Sequence, residues 1–279
     1  MHKNEASPNS RKRENHLLLL LGSVTLVVVV ATTLSVTGRG MQGNSKESLS
    51  VNDARPVKLA AETLEKKYGW IITYEDPPYA HESELVDVTE KVRRDLDKFK
   101  PGQAPKVFIP KGGDLTFEYD IEPDTKKPAD SAAVVQQLLD TYAIAGNPGV
   151  FRLERDRQRL HIVVAASKNE DGVLVSRQSV LDTVITVPAQ KRNGLELLDA
   201  ICAAISDARG IRVVVGGAPL NRFYQHQTES GAKNQRARDF LTSELDRITG
   251  QAKWSWQLLY DPGMKTYFLN IHAVSTRSV

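Results

Sequence analysis

The chain has 279 residues, with 37 Lys and Arg against 34 Asp and Glu and a single cysteine, which is enough for one large or two small folded units. Its net charge of +3 comes entirely from residues 1–47, which hold six basic and three acidic residues, so the rest of the chain balances at 31 against 31. A folded region without a basic surplus argues against nucleic acid as a partner. One cysteine excludes an intramolecular disulfide and any multi-cysteine metal site.

A basic segment over residues 1–15 precedes a long apolar stretch over residues 16–37. Leu17–Val36 carries no charge, and at about 1.5 Å per residue a helix of this length reaches about 30 Å, the thickness of a bilayer hydrocarbon core. The basic run Arg11–Arg13 lies before it, which predicts a cytoplasmic N-terminus. We therefore predict a single-pass anchor in a bacterial inner membrane over residues 16–37, with the folded part in the periplasm.

A cleaved secretory signal is the competing interpretation of residues 16–37, because it has the same basic and apolar regions. The apolar region is longer than most signals have, and no clean cleavage site follows it. Cleavage would make the protein secreted, but both interpretations export the rest of the chain. Residues 38–53 are rich in Gly, Ser, Asn and charge, which predicts a flexible tether.

A first α+β module is predicted over residues 54–167. Arg55–Tyr68 has apolar residues at helical spacing and stops before Gly69, and Trp70–Tyr74 is typical of a strand. Residues 79–104 alternate acidic and basic side chains, and we interpret them as a partly helical insertion on the surface of this module. The remaining predicted elements are the strands Lys106–Ile109 and Leu115–Ile121, the helix Ser131–Tyr142, and the alternating runs Val150–Leu153 and Leu160–Val164.

A second module of the same kind is predicted over residues 178–275. Asn193 and Glu196 have the spacing of a capping box at the start of a helix over Leu195–Ala208. The Asp-Pro-Gly turn at Asp261 is a strong hairpin signal. The other predicted elements are the strands Val180–Val187 and Ile211–Val215, the helix Arg236–Thr249 and the hairpin Lys253–Ala273.

The two predicted modules look like an internal repeat when Gly69 is set on Gly210. The order of elements over residues 178–275, and more loosely over 54–165, resembles the short N-terminal domain of secretins and TonB-dependent receptors. The hairpin Trp256–Ile271 is similar to the closing strands of that domain. This resemblance implies two small modules behind a membrane anchor, each with two helices on a mixed or antiparallel sheet that ends in a hairpin. It also implies a protein-interaction role in the bacterial envelope.

The sequence predicts no catalytic residue, no cofactor and no metal site. Cys202 lies mid-helix among apolar residues, where a buried, inert thiol is expected, and the six histidines lack metal-ligand spacing. Four arginines around one hairpin turn are interpreted as a solvated tip, with contact to an anionic lipid head group or an acidic partner as the alternative. These are Arg152, Arg155, Arg157 and Arg159.

Two aromatic segments supply the candidate interaction residues. One lies at the end of the first predicted strand and contains Tyr74, Pro77, Pro78 and Tyr79. The other lies in a polar loop and contains Arg222, Phe223 and Tyr224. The first segment could form a recognition edge, and the alternative is a rigid turn with Tyr79 packed on the sheet. In the second segment we expect one of the two rings to fold back onto the core while the other anchors a partner.

We predict a non-enzymatic interaction or assembly module that binds an envelope protein through a sheet edge or hairpin. One alternative is an exported enzyme with a site between the two modules. It requires a pocket in which at least three polar groups converge, taken from Glu75, Asp76, Arg222, Tyr224 and His226. The other alternative is a small-ligand sensor, which requires an apolar cavity between the modules.

Overall fold

The computed structural model describes residues 45–156, 158–248 and 252–274, which belong to one compact unit of mixed α+β structure. The α+β class is therefore confirmed. The predicted basic segment and the predicted anchor, residues 1–37, lie outside the described residues. Within the described ranges, no helix is both long and apolar enough to span a bilayer.

The first half of this unit contains eight strands and three helices. The strands are β1 (Ser45–Asp53), β2 (Ile71–Glu75), β3 (Leu85–Asp87), β4 (Phe108–Pro110), β5 (Gly113–Ile121), β6 (Val150–Arg155), β7 (Arg159–Lys168) and β8 (Leu174–Ser176). The helices are α1 (Pro56–Tyr68), α2 (Thr89–Val92) and α3 (Ser131–Ile144). The segment 79–104 holds α2, β3 and two short 3-10 turns, and β3 pairs with β4.

The second half contains seven described strands and three helices. The strands are β9 (Val184–Val187), β10 (Arg192–Asn193), β11 (Arg212–Gly217), β12 (Gln227–Thr228), β13 (Ala232–Arg236), β14 (Lys253–Asp261) and β15 (Thr266–Val274). The helices are α4 (Gly194–Arg209), α5 (Leu220–Gln225) and α6 (Ala237–Arg247).

Local signals place the long helices where the sequence predicts them. Asn193 and Glu196 form the predicted capping box, which satisfies free backbone amides at the start of α4. Helices α1 and α4 end at Gly69 and Gly210, whose φ angles of 70° and 64° are left-handed, a conformation that glycine adopts without steric cost. The two glycines that align the repeat in sequence are thus equivalent helix ends.

The prediction of a flexible tether over residues 38–53 is wrong for residues 45–53, which form β1. This strand pairs antiparallel with β5 along its whole length. Leu49 and Val51 are buried, whereas the residues between them and on either side are exposed. A strand that is buried on one face needs few apolar residues. The Ser-rich sequence of β1 therefore gave no clear strand signal.

A seven-stranded sheet joins the two halves, in the order β11-β15-β14-β2-β7-β6 with β8 also paired to β7. In each half a parallel pair (β2 with β7, β11 with β15) lies beside an antiparallel hairpin (β6–β7, β14–β15). The halves meet where β14 runs parallel to β2, with Gln257 opposite Tyr74 and Leu258 opposite Glu75. Each half also has a two-stranded antiparallel ribbon, β1–β5 and β9–β13.

The helices of the two halves cover opposite faces of this sheet. Residues that are directly opposite on neighbouring strands point to the same face. Tyr74 and its cross-strand partner Gln257 point to the same face, and Tyr74 belongs to the core around α1 and α3. Leu258 follows Gln257 in β14 and belongs to the core around α4 and α6. Because successive strand residues alternate between faces, the two cores lie on the two sides of one sheet.

Candidate functional site

The first candidate segment is buried at the end of β2. The hydroxyls of Tyr74 and Tyr79 both donate hydrogen bonds to Oδ1 of Asp76, at 2.8 and 3.0 Å. Pro77 is buried and Pro78 is partly buried. Burial, followed by the Asp76 charge, raises the pKa of both tyrosines well above the ordinary value. This segment is therefore not an exposed recognition edge, and its burial matches the alternative of a turn packed on the sheet.

Asp76 also ties the two halves together through its second oxygen. Oδ2 accepts hydrogen bonds from Arg55 Nε at 2.6 Å and from the backbone amide of Tyr260 at 2.9 Å. Arg55 in turn donates to the carbonyl of Tyr260 at 2.8 Å. A carboxylate with every oxygen partnered is stable in the interior, so a structural role accounts for Asp76.

The second candidate segment lies on α5, where the prediction that one ring folds back is confirmed. Phe223 is buried and packs edge-on against Trp254, with ring centroids 5.3 Å apart. Tyr224 is 66% exposed and Arg222 is exposed. Leu220, one turn before Tyr224, is 64% exposed, so the helix presents a small apolar pair to solvent.

The polar set required by the enzyme alternative is not brought together. Glu75 and Asp76 are buried at the end of β2 and bind Arg238 and Arg55. The other three members, Arg222, Tyr224 and His226, lie on α5 or directly after it. A small pocket holds Arg222 and His226 together with Gln225, Gln227 and Ile248, and it contains neither acid.

A buried charged cluster lies at the junction of the halves, and sequence reasoning missed it. We call Arg238, Glu75, Glu154, Asp182 and Ser179 the junction cluster. Arg238 donates to Glu75 at 2.8 Å, to Ser179 at 2.6 Å and to Glu154 at 2.7 Å, and its guanidinium lies 3.2 Å from Asp182. The side chains of Arg238 and Glu75 are each 1% exposed.

Electrostatics in the junction cluster differ between its carboxyls. Burial raises the pKa of Glu75, and the attraction of Arg238 only partly offsets that effect. Glu154 is less buried, and although burial alone would raise its pKa, Arg238 and Arg152 bring it below the ordinary value. Removing Arg238 would leave these acids buried without their shared partner. The free-energy cost of this change is far larger than the net stabilisation that the intact ion pairs contribute.

Two of the four arginines interpreted as a solvated tip are instead structural. Arg159 is 3% exposed and pairs with Asp246 of α6. Arg152 donates to the carbonyl of Val164 at 2.8 Å and reaches Asp182 at 3.3 Å. The interpretation fails for these two because their partners come from α6 and the turn before β9, which the sequence does not place nearby. Of the other two, Arg155 is exposed and Arg157 lies outside the described residues.

His161 is a buried neutral histidine on the face that α6 covers. Its Nδ1 accepts from the Thr73 hydroxyl at 2.7 Å, and its Nε2 lies 3.2 Å from Asp156 Oδ2. The ring stacks on Trp256 with centroids 5.8 Å apart. Burial and the nearby Arg238 charge lower the pKa of His161 to about 4. These contacts give it a structural role.

Cys202 is buried, and burial raises the pKa of its thiol to about 12, so it is a poor nucleophile. Across residues 45–156, 158–248 and 252–274, no group of three or more His, Cys, Asp or Glu side chains is placed to hold a metal ion.

The candidate docking surface is the free edge of β11 and the groove beside it. The groove has a volume of about 470 Å³, and we call it the edge groove. Its lining is mixed: Val107, Phe108, Ile109, Gly216, Leu259, Pro262 and Phe268 are apolar or lack a polar side chain, and Arg55, Tyr260, Asp261 and Asn270 are polar. β4 supplies one wall and β15 another. Gly216 lies at an irregularity in the β11–β15 pairing, where an added Cβ would come within 2.6 Å of the Asn270 side chain.

The outward-facing backbone groups of β11 differ between two residues, Val213 and Val215. The amide of Val213 donates to Ser206 Oγ of α4 at 2.9 Å, and its carbonyl lies 3.2 Å from the same hydroxyl, which also donates to the Cys202 carbonyl at 2.8 Å. Both groups of Val213 therefore point away from β15. Residues two apart in a strand point the same way. By this alternation Val215, the last residue before the pairing irregularity, directs its amide and carbonyl outward, and no described residue outside the sheet bonds to them.

Comparisons of the chain with protein-family models, with curated proteins and with solved structures found no match.

Proposed function

We propose that the protein is a non-enzymatic interaction or assembly module of the bacterial envelope, and that it binds an extended segment of another envelope protein along β11. The proposal includes the predicted anchor at residues 16–37, a cytoplasmic N-terminus and a periplasmic folded part, which would be secreted if the segment is cleaved. The observation that carries it is the hydrogen bond of the Val213 amide to Ser206, because strand alternation then turns the backbone of Val215 outward, next to Gly216 of the edge groove.

The family part of the proposal is that the folded unit consists of two divergent copies of the short N-terminal domain of secretins and TonB-dependent receptors. The support is the order of pairings, which is the same in both halves: an opening strand in a ribbon, a helix, a strand, the second ribbon strand, a helix and a hairpin. β1 supplies the opening strand that the sequence alone lacked for the first half.

Binding at β11 is favoured over binding at β6, the other end of the main sheet. Unpaired edges are protected in soluble proteins by charge, bulges or short length. Both edge strands have six residues and a pairing irregularity, so charge distinguishes them: β6 carries Arg152, Glu154 and Arg155, whereas β11, Arg-Val-Val-Val-Gly-Gly, has one charged residue at its start. A Val-rich edge with a groove beside it fits strand addition, in which backbone bonds give affinity and alternate side chains give specificity.

The experiment places a photo-crosslinking amino acid at Arg212, an exposed residue at the start of β11, in the full-length protein expressed in bacterial cells. We expect a discrete crosslinked species in the envelope fraction. The Val215→Pro substitution should abolish it, because proline removes the outward amide without removing a bond to β15.

Two controls make the outcome specific. Val215→Thr keeps the amide and should preserve the crosslink, and a crosslinker at Val173, which is 58% exposed, should not give the same species. An absent crosslink at Arg212, or one that Val215→Pro leaves unchanged, would refute binding through this edge. A crosslink to a second copy of the chain would make the partner the protein itself.

A further inference from the structure

A polar pocket of about 470 Å³ lies where three parallel strands of the main sheet begin. Ile71, Arg159 and Lys253 are the first residues of β2, β7 and β14, and all three line it. The other lining residues are Gly69, Trp70, Ser131, Arg155, Asp156, Gln158 and Leu160. This pocket is separate from the edge groove, with which it shares no lining residue.

Positive charge predominates among the side chains that line the pocket. Arg155, Arg159 and Lys253 are basic, and Asp156 is the acid among them. Oδ1 of Asp156 accepts the amides of Gln158 and Arg159 at 2.9 and 2.8 Å, and Oδ2 contacts His161, while the side chain stays 36% exposed. Arg155 and Lys253 are exposed, and neither has a salt bridge within the described residues.

Arg159 adds a guanidinium whose position is fixed. Its side chain is 3% exposed, and the pair with Asp246 of α6 holds it in place. Its Nε is buried and has no partner among the residues described, although a buried donor normally has one. The pocket therefore combines one fixed guanidinium, whose terminal nitrogens both bind Asp246, with the two exposed cations Arg155 and Lys253.

We infer that this pocket binds a phosphate group. A phosphate has several strong acceptor oxygens, and Arg and Lys donors that converge from different strands are the side chains that recognise it. The same chemistry could come from a soluble phosphate ester or from the head group of an anionic lipid.

The path of the chain makes a lipid head group reachable if the proposed anchor exists. Glu47, near the start of β1, bonds to Lys67 and Tyr68 in the last turn of α1, directly before the lining residues Gly69 and Trp70. The described chain therefore begins at the end of the molecule where the pocket lies. A fully extended chain of eight residues, the number from 38 to 45, would span at most about 27 Å.

The test titrates inorganic phosphate into the full-length protein in a maltoside detergent, which contains no phosphate, and follows binding by calorimetry. We expect saturable binding. The double variant Arg155→Ala/Lys253→Ala should weaken it by about tenfold or more, whereas Arg94→Ala/Lys233→Ala removes the same charge from exposed residues elsewhere and should leave it unchanged. Absence of saturation, or equal losses in the two variants, would overturn the proposal.

A second arm identifies the source of the phosphate by repeating the titration in nanodiscs of phosphatidylglycerol. If the lipid occupies the pocket, the apparent affinity for added phosphate falls about tenfold relative to detergent, and an unchanged affinity assigns a soluble ester. Only this arm rests on the proposed anchor. The Val215→Pro variant should bind phosphate normally, so this proposal and the docking proposal can fail separately.

Discussion

At the scale of single residues, buried polar groups hold the two halves together. Arg238 links α6 to β2 and β6, and Asp76 links β2 to β14 and to the start of α1. Such clusters add little net stability compared with apolar packing, but removing one partner leaves the others buried and unpaired. These residues therefore determine how the halves fit together.

Arg238→Ala should lower the free energy of unfolding by roughly 3–5 kcal/mol, because Glu75 and Glu154 would lose their shared buried partner. Arg236 is a matched control, since its side chain is 41% exposed although it also contacts Asp182 and Glu154. Arg236→Ala should cost about 1 kcal/mol or less. Urea denaturation of both variants measures the difference, and equal losses would show that the junction cluster does not act as described.

His161 gives the protein a predictable response to acid. Its pKa is about 4 in the folded state against an ordinary value of 6.5, so between these values the unfolded chain binds a proton that the folded chain does not. Stability should therefore fall as the pH drops from about 6.5 to about 4, by on the order of 2–3 kcal/mol from this residue.

The check on His161 compares unfolding of the wild type and His161→Gln over the same pH range. Glutamine keeps hydrogen-bonding capacity toward Thr73 and Asp156 but does not titrate. The stability difference between the two proteins should change with pH in the stated direction, and a difference that is constant with pH would contradict a neutral buried His161.

At the scale of elements, the sequence predicted those whose signals are local. The helix ends at Gly69 and Gly210, the capping box of α4 and the turn of the β14–β15 hairpin were all visible in short windows. Strand β1 has no such local signal, because its partner β5 lies far along the chain and its own apolar face is small. The junction cluster draws on four separate elements, so no local pattern indicates it.

Strand β1 can be tested with two neighbouring substitutions to lysine. Leu49→Lys places a charge in the core that contains Phe117 and should cost roughly 3 kcal/mol or more. Ser48→Lys lies on the exposed face opposite Glu118 and should be nearly neutral. If both variants unfold at the wild-type urea concentration, residues 45–53 would be a tether after all.

At the scale of the whole molecule, one sheet carries two cores on opposite faces and ends in edges of different character. The parallel ladder between β14 and β2 is two residue pairs long, and no sequence pattern would have predicted it. The result is a single platform with the apolar edge of β11 at one end and the charged edge of β6 at the other. Because residues 48–279 carry equal numbers of basic and acidic side chains, the docking that we propose would depend on local shape and backbone pairing rather than on long-range attraction.

The most direct measurement of edge docking is hydrogen exchange at individual β11 amides, with and without the crosslinked partner. In the free protein the amide of Val213, which donates to Ser206, should exchange slowly and that of Val215 rapidly. In the complex, Val215 should become protected while Val213 stays as it was. Protection of Val215 in the free protein, or no change in the complex, would contradict docking along β11.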